Sequence, residues 1–157
     1  MANVSLVRNE DVEGIEPLCQ RAFEQMGYAK TRGYTYSRQH TIDTIRRGVE
    51  SDEHMLTKYV KNGQILGFMA IGLTDFSFYS VGKKTAYEIV WHGDPLLSPV
   101  QQLIVMKTLL VDMIKRAVAE NIDIFSVTID AKCADISKIL MKMGFCEQNR
   151  VLVRRLT

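Results

Sequence analysis

The chain is poor in several residue types and patterns that would announce a specialised protein. Its 157 residues include three cysteines, three prolines and three histidines, and basic residues outnumber acidic ones by a net charge of only +2. Cys19, Cys133 and Cys146 are too widely spaced for a disulfide framework or a paired metal knuckle, and the scattered histidines add no ligand set. Reduced thiols and no bound metal are expected. No apolar run approaches the ~20 residues needed to cross a bilayer. The opening MANVSLVRNEDVEG lacks the basic, apolar and small-residue succession of a secretion signal. From these absences a cytoplasmic protein with no membrane partner is expected. The small net charge argues against nucleic acid as a partner. No repeat, low-complexity tract or Gly/Ser/Pro linker interrupts the sequence, so one domain spanning residues 1–157 is expected, long enough to bury roughly two thirds of its unfolded surface.

What is present is a succession of periodic segments. Val4 to Val7 form a short apolar strand, after which Asn9 or Asp11 caps a helix with Val12, Ile15, Cys19, Phe23 and Met26 on one face. Gly27 ends that helix. Residues 28–40 are polar and aromatic, and Thr41 to Val49 suit a second helix stopped near Gly48. The runs MLTKYVK and QILGFMAIGL are strands joined by Asn62-Gly63, a hairpin signal because both turn residues tolerate positive φ. TAYEIVWH is a third strand. A helix follows from Pro99 to about Asn121, with Leu103, Met106, Leu110 and Ala117 on its apolar face. IDIFSVTI, nearly all apolar, reads as a strand buried on both faces. Ala134 to Met143 form a last helix closed by Gly144, and NRVLVRRL a terminal strand. The order β-α-α-β-β-β-α-β-α-β predicts an α/β fold, a mixed sheet with helices on both faces.

Ser98-Pro99-Val100-Gln101 has the residues of a capping box with proline at the first helical position. The Ser98 hydroxyl would accept from the Gln101 amide, Gln101 would reach back to Ser98, and Pro99 has no amide. The helix start would thus satisfy its own donors, which elsewhere wait for an anion. On the strand before it, alternation places Ala86, Glu88, Val90 and His92 on one face.

The element order, with RNEDVEGIEPLCQRAF, NGQILGFMAIG and ISKILMKMGF, resembles the GCN5-related N-acetyltransferase superfamily, whose members move an acetyl group from acetyl-coenzyme A to an amine. The likeness covers nearly the whole chain. It implies a pantetheine-binding strand edge at Val90, Trp91, His92 and Gly93. It also implies a diphosphate loop, patterned Gln/Arg-x-x-Gly-x-Gly/Ala, over Gln101, Gln102, Leu103, Ile104, Val105 and Met106. Here Ile104 and Met106 stand where small residues are usual. Glu88 matches the position of the general base. Leu140 occupies the place of the usual general-acid tyrosine, and Cys133 that of an asparagine preceding it. Residues 28–47 correspond to the acceptor wall. They hold Tyr28, Arg32, Tyr34, Tyr36 and Arg38, with Asp43 as their one acidic residue, so they suit either an acceptor or partner surface or a solvated helix and loop.

A retained scaffold without the phosphate glycines and the tyrosine is similar to acetyltransferase-like proteins of tailed phages. On that pattern the expectation is an interaction or structural module with a degenerate acetyl-CoA site, contacting a protein partner or another copy of itself in a host cytoplasm or a virion. The alternative expectation is an active acetyl-CoA-dependent N-acetyltransferase acting on an amine of a protein or small molecule.

Overall fold

The structure, a computed structural model, describes residues 2–75, 82–129 and 134–147. The backbone divides into two compact units, residues 1–127 and 128–157. In the first, β1 (Ala2–Leu6), β2 (His54–Lys61), β3 (Gln64–Thr74) and β4 (Thr85–Gly93) pair antiparallel in sequence order, and β5 (Ile124–Ser126) joins β4 in parallel. The β2–β3 connection is the two-residue turn expected, with Asn62 at φ 52° and Gly63 at φ 78°.

Helices α1 (Val12–Met26), α2 (Tyr28–Arg32) and α3 (Arg38–Glu50) fill the chain between β1 and β2, and α4 (Pro99–Ala119) connects β4 to β5. One face of the sheet buries Phe68 and Ala70 against Val12, Ile15 and Leu18 of α1 and Ile42 and Ile45 of α3. The α4 side is packed through Val105, Leu109, Leu110 and Met113, all buried. β3 lies between the two layers, so Gly67 to Gly72 are buried throughout, which explains its continuous apolar run.

Several elements depart from expectation. Residues 28–32 form α2, closed at each end by a glycine in the left-handed region, Gly27 and Gly33. Helix α3 begins at Arg38 because the Ser37 hydroxyl accepts from the His40 amide at 3.3 Å. It also passes through Gly48, where a Cβ would lie 3.2 Å from Leu56 Cδ1, so the glycine admits the sheet rather than ending the helix. Asp11 stands at the start of α1 without capping it; its carboxylate accepts from the Arg8 amide at 2.8 Å and pairs with Lys58. Strand β5 has only three residues and Ile124 is 53% exposed, in place of the long strand buried on both faces. The second unit contains α5 (Ala134–Lys142). Its C-terminus is a Schellman motif, with Gly144 at φ 91°, the Gly144 amide on the Met141 carbonyl and the Phe145 amide on the Leu140 carbonyl, both at 3.1 Å. The expected terminal strand at 149–156 lies outside the described residues.

Gly67 lets α4 lie close to the sheet. A Cβ there would collide with Val105 Cγ1 and stand 3.0 Å from Leu109 Cδ1 and 3.3 Å from the His92 carbonyl. Gly67→Ala should therefore cost about 1–3 kcal/mol in urea denaturation by overpacking, and Val105→Ala in the same chain should recover part of that loss.

Candidate active site

Strand β5 follows β4 through three pairs only, Thr85–Ile124, Ala86–Phe125 and Tyr87–Ser126. β4 then continues from Glu88 to Gly93 with no described strand on that side. On its other side the register with β3 shifts: Ala70 pairs with Val90 and Ile71 with Glu88, so Ile89 is an extra, bulged residue. The bulge corrects the face expected from alternation. Glu88 stays with Ala86 on the side of Ile71 and Leu73, whereas Val90 and His92 turn to the side of Ala70 and Phe68. Val90 packs on the α1–α3 core. Glu88 is half-buried at the point where β4 and β5 part.

The rest of β4 is locked to its surroundings. Trp91 Nε1 donates to the Met106 carbonyl at 2.8 Å, and a Cβ on Gly93 would lie 3.1 Å from both Cα and the carbonyl oxygen of Gln102. The strand end and the first turns of α4 are in backbone contact there. The His92 ring stands edge-on to Phe68 at 6.3 Å, with Nδ1 buried and unpartnered. Burial pushes its pKa down to about 4, against the opposing charge of Asp94, so the imidazole is neutral at physiological pH.

Sequence reasoning missed the ion pair that fixes the next turn. Arg21 of α1 holds Asp94 with both carboxylate oxygens, Nε to Oδ1 at 2.9 Å and Nη2 to Oδ2 at 2.6 Å, and the Leu96 amide donates to the same Oδ1 at 3.0 Å. Burial of Asp94 acts to raise its pKa, but the bonds from Arg21 and Leu96 outweigh it and hold the carboxyl below its ordinary range. Nothing local in the sequence links residues 73 positions apart.

Helix α4 starts at Pro99 with the capping box in place: the Gln101 amide donates to Ser98 Oγ at 3.4 Å and the Ser98 amide to Gln101 Oε1 at 3.1 Å. The Gln102 amide is bonded to the Ser98 carbonyl at 2.9 Å, and its side chain donates to the Leu97 carbonyl at 2.9 Å. Positions 101–106 are thus turns of a regular helix, not a loop. Ile104 faces solvent, Val105 is buried and Met106 is half-buried.

The residues of the aromatic and basic stretch are brought together mainly by α1. Glu16, buried, accepts from the Tyr36 hydroxyl at 2.7 Å and from Arg38 Nε at 3.1 Å, and Glu13 accepts from Arg38 Nη2 at 2.7 Å. Burial raises the Tyr36 pKa; the Thr41 hydroxyl opposes this and Glu16 reinforces it. Phe23 packs on Tyr28 at 5.9 Å and on Tyr36 at 5.5 Å, and Arg32 lies over the Tyr28 ring at 4.9 Å. Tyr34, 56% exposed, is the most open of the four aromatic rings. Much of this surface is therefore internal scaffolding. Cys19 is kept protonated, its pKa pushed up to about 12 by burial and by Glu16. Cys133 lies outside the described residues. Among the described residues no group of three or more His, Cys, Asp or Glu could hold a metal ion, and no helix is long and apolar enough to cross a membrane.

No protein-family profile and no curated protein sequence matches the chain. Solved structures do match. A predicted acetyltransferase from Clostridium acetobutylicum, solved with acetyl-CoA, superposes with a TM-score of 0.76 at 15% identity over 99% of this chain and 96% of that one. AAC(6')-Iy, in complex with the bisubstrate analogue CoA-S-monomethyl-acetylneamine, gives 0.76 at 11% identity over 100% and 99%. A transcriptional regulator from Bacillus halodurans gives 0.75 at 13% identity over 99% and 100%. The chain has the fold of the GCN5-related N-acetyltransferases. That fold is shared by a protein described as a regulator, so the chemistry has to be argued from the site.

The depressed pKa of His92 gives a signed prediction. Its neutral form contributes stability that is complete above the unfolded value of 6.5 and is lost as pH falls toward about 4. Thermal melting of the wild-type protein should decline across that window, and His92→Leu should flatten the decline. The contribution of Asp94 is lost only at lower pH, because its pKa is depressed from 3.8.

Proposed function

We propose that the protein transfers an acetyl group from acetyl-CoA to an amine. The observation that carries this reading is that the last β4–β5 pair is Tyr87–Ser126, so that from Ile89 to Gly93 this side of β4 faces no strand among the described residues. Backbone N–H and C=O groups along such an edge need partners. An extended pantetheine arm, with its two amides, supplies them as an added strand would. Its thioester would then stand beside Glu88 and the Ile89 bulge.

Glu88 acts as the base. It accepts a proton from the acceptor ammonium, directly or through water, and the freed amine attacks the thioester carbonyl. The backbone N–H at the Ile89 bulge, displaced from the β3 ladder, suits the oxygen on which negative charge develops. The attack forms the C–N bond; the nitrogen then loses its surplus proton to solvent, and collapse of the tetrahedral species restores the carbonyl, breaks the C–S bond and releases a thiolate. Leu140, in the position matched to the acid, has no proton to give, so solvent protonates the thiolate. That favours a slow enzyme, since acid–base assistance is worth roughly a hundred- to ten-thousand-fold.

A second reading, an interaction module, draws support from the loop before α4 and its first turns, where Leu96, Val100 and Ile104 are 78%, 69% and 55% exposed. These side chains suit a protein partner or a second copy better than a highly charged ligand.

Calorimetry separates the readings. Acetyl-CoA should bind with a Kd between 1 mM and 1 μM, roughly −4 to −8 kcal/mol. Glu88→Gln should lower kcat by about a hundredfold or more and leave that Kd unchanged. No heat at millimolar acetyl-CoA would reject the transferase in favour of the module.

A further inference from the structure

We infer that Arg21 is a positioning residue for donor binding: from α1 it holds Asp94 and, through Asp94, the turn that joins β4 to α4. This role rests on the transferase reading above and adds to it a residue on the face of the sheet opposite α4.

The turn has little of its own to keep it in place. Residues 94–99 read Asp-Pro-Leu-Leu-Ser-Pro. Leu96 is 78% exposed, and Ser98, Pro99 and Val100 are exposed beside it. A segment with so few buried apolar side chains opens locally at small cost. Pro95 and Pro99 narrow its conformations, but neither has an N–H with which to fasten it. Asp94 supplies most of the fastening. Its amide donates to the Leu66 carbonyl at 2.9 Å, its carbonyl accepts from the Leu97 amide at 3.0 Å, and its Oδ1 accepts from the Leu96 amide at 3.0 Å. From the helix side the Gln102 side chain adds a bond to the Leu97 carbonyl at 2.9 Å.

The Asp94 carboxylate keeps its aim because Arg21 takes both oxygens, Nε to Oδ1 at 2.9 Å and Nη2 to Oδ2 at 2.6 Å. Asp94 is buried, so turning its side chain away from Leu96 would forfeit two charge-assisted bonds inside the protein. Packing does not do the same work. Arg21 and Asp94 border a cleft of about 450 Å³ whose lining includes Ile65, Leu66, Leu96 and Leu97. The two bonds from Arg21 are the described hydrogen bonds that reach from α1 to the turn. On the other face Trp91 is tied to Met106 and Gly93 lies against Gln102, so the end of β4 is fastened from both sides. A donor running along β4 toward Gly93 meets this turn next. With Arg21 present the turn is in place before the donor arrives. Without it the turn must be ordered on binding, and fixing the backbone of a single residue lowers affinity by about tenfold.

The experiment combines acetyl-CoA calorimetry, thermal melting and amide hydrogen exchange on the full chain. Arg21→Met should weaken acetyl-CoA by about tenfold or more. Arg21→Lys supplies a cation without the two-pronged guanidinium and should fall between the wild type and Arg21→Met. Because Arg21→Met leaves Asp94 a buried, unpaired carboxylate, it also lowers the melting temperature. Arg21→Met combined with Asp94→Asn removes that charge and keeps an oxygen for the Leu96 amide. In this double variant melting should return toward the wild-type value, while acetyl-CoA stays weak and the Leu96 and Leu97 amides exchange faster than in the wild type. Wild-type affinity in a folded Arg21→Met chain would overturn the inference and leave the transferase reading standing. Affinity that recovers together with the melting temperature in the double variant would do the same, because Arg21 would then act on stability alone. Failure of the wild-type protein to bind acetyl-CoA at millimolar concentration overturns the two together.

Discussion

The register of β4 with its two neighbours is the constraint on which the rest of the molecule turns. β5 accompanies β4 for three residues and then stops, and the bulge at Ile89 disturbs the ladder on the other side at almost the same level. Peptide groups shielded from water require partners, and beyond Tyr87 this side of β4 faces no strand among the described residues. The packing around it keeps that edge in place. Trp91 is tied to the Met106 carbonyl, Gly93 lies against the backbone of Gln102, and Asp94 is clamped by Arg21. This part of β4 is therefore held by rigid elements on every described side.

Much of the scaffold was legible in the sequence because the signals were local. Asn62-Gly63 fixed the hairpin, Ser98-Pro99-Val100-Gln101 fixed the start of α4, and Gly27 and Gly144 marked helix ends through their positive φ. The site was less legible for two physical reasons. The bulge at Ile89 reverses the facing of every later β4 side chain, and a strand pattern of period two cannot reveal an inserted residue. The charge partners were the other obstacle. Arg38 and Tyr36 appeared unmatched along the chain, yet Glu13 and Glu16 reach them across α1, and Arg21 finds Asp94 in the same way. Glycine was also ambiguous: Gly48 reads as a helix stop but serves as a helix–sheet contact.

The aromatic and basic segment shows why composition overstates binding surfaces. A run rich in tyrosine and arginine suggests a docking face, but Glu16 is buried under Tyr36 and Arg38, and Phe23 fills the space between Tyr28 and Tyr36. Removing a buried carboxylate's partners would leave it desolvated and unpaired, a large penalty. These residues are therefore constrained by folding first. Outward-facing groups in this segment include Lys30, Arg32, Tyr34 and the Arg38 side chain.

The pairing of β1 with β2 has a consequence for how the chain is made. Residues 2–6 lie opposite residues 57–61, with three helices between them. During synthesis at about 5–20 residues per second, the first strand must wait several seconds for its neighbour to leave the ribosome. The β2–β3 hairpin closes over two residues and can form in microseconds once it emerges. The N-terminal strand is thus without its sheet neighbour for the whole time that α1, α2 and α3 are being made.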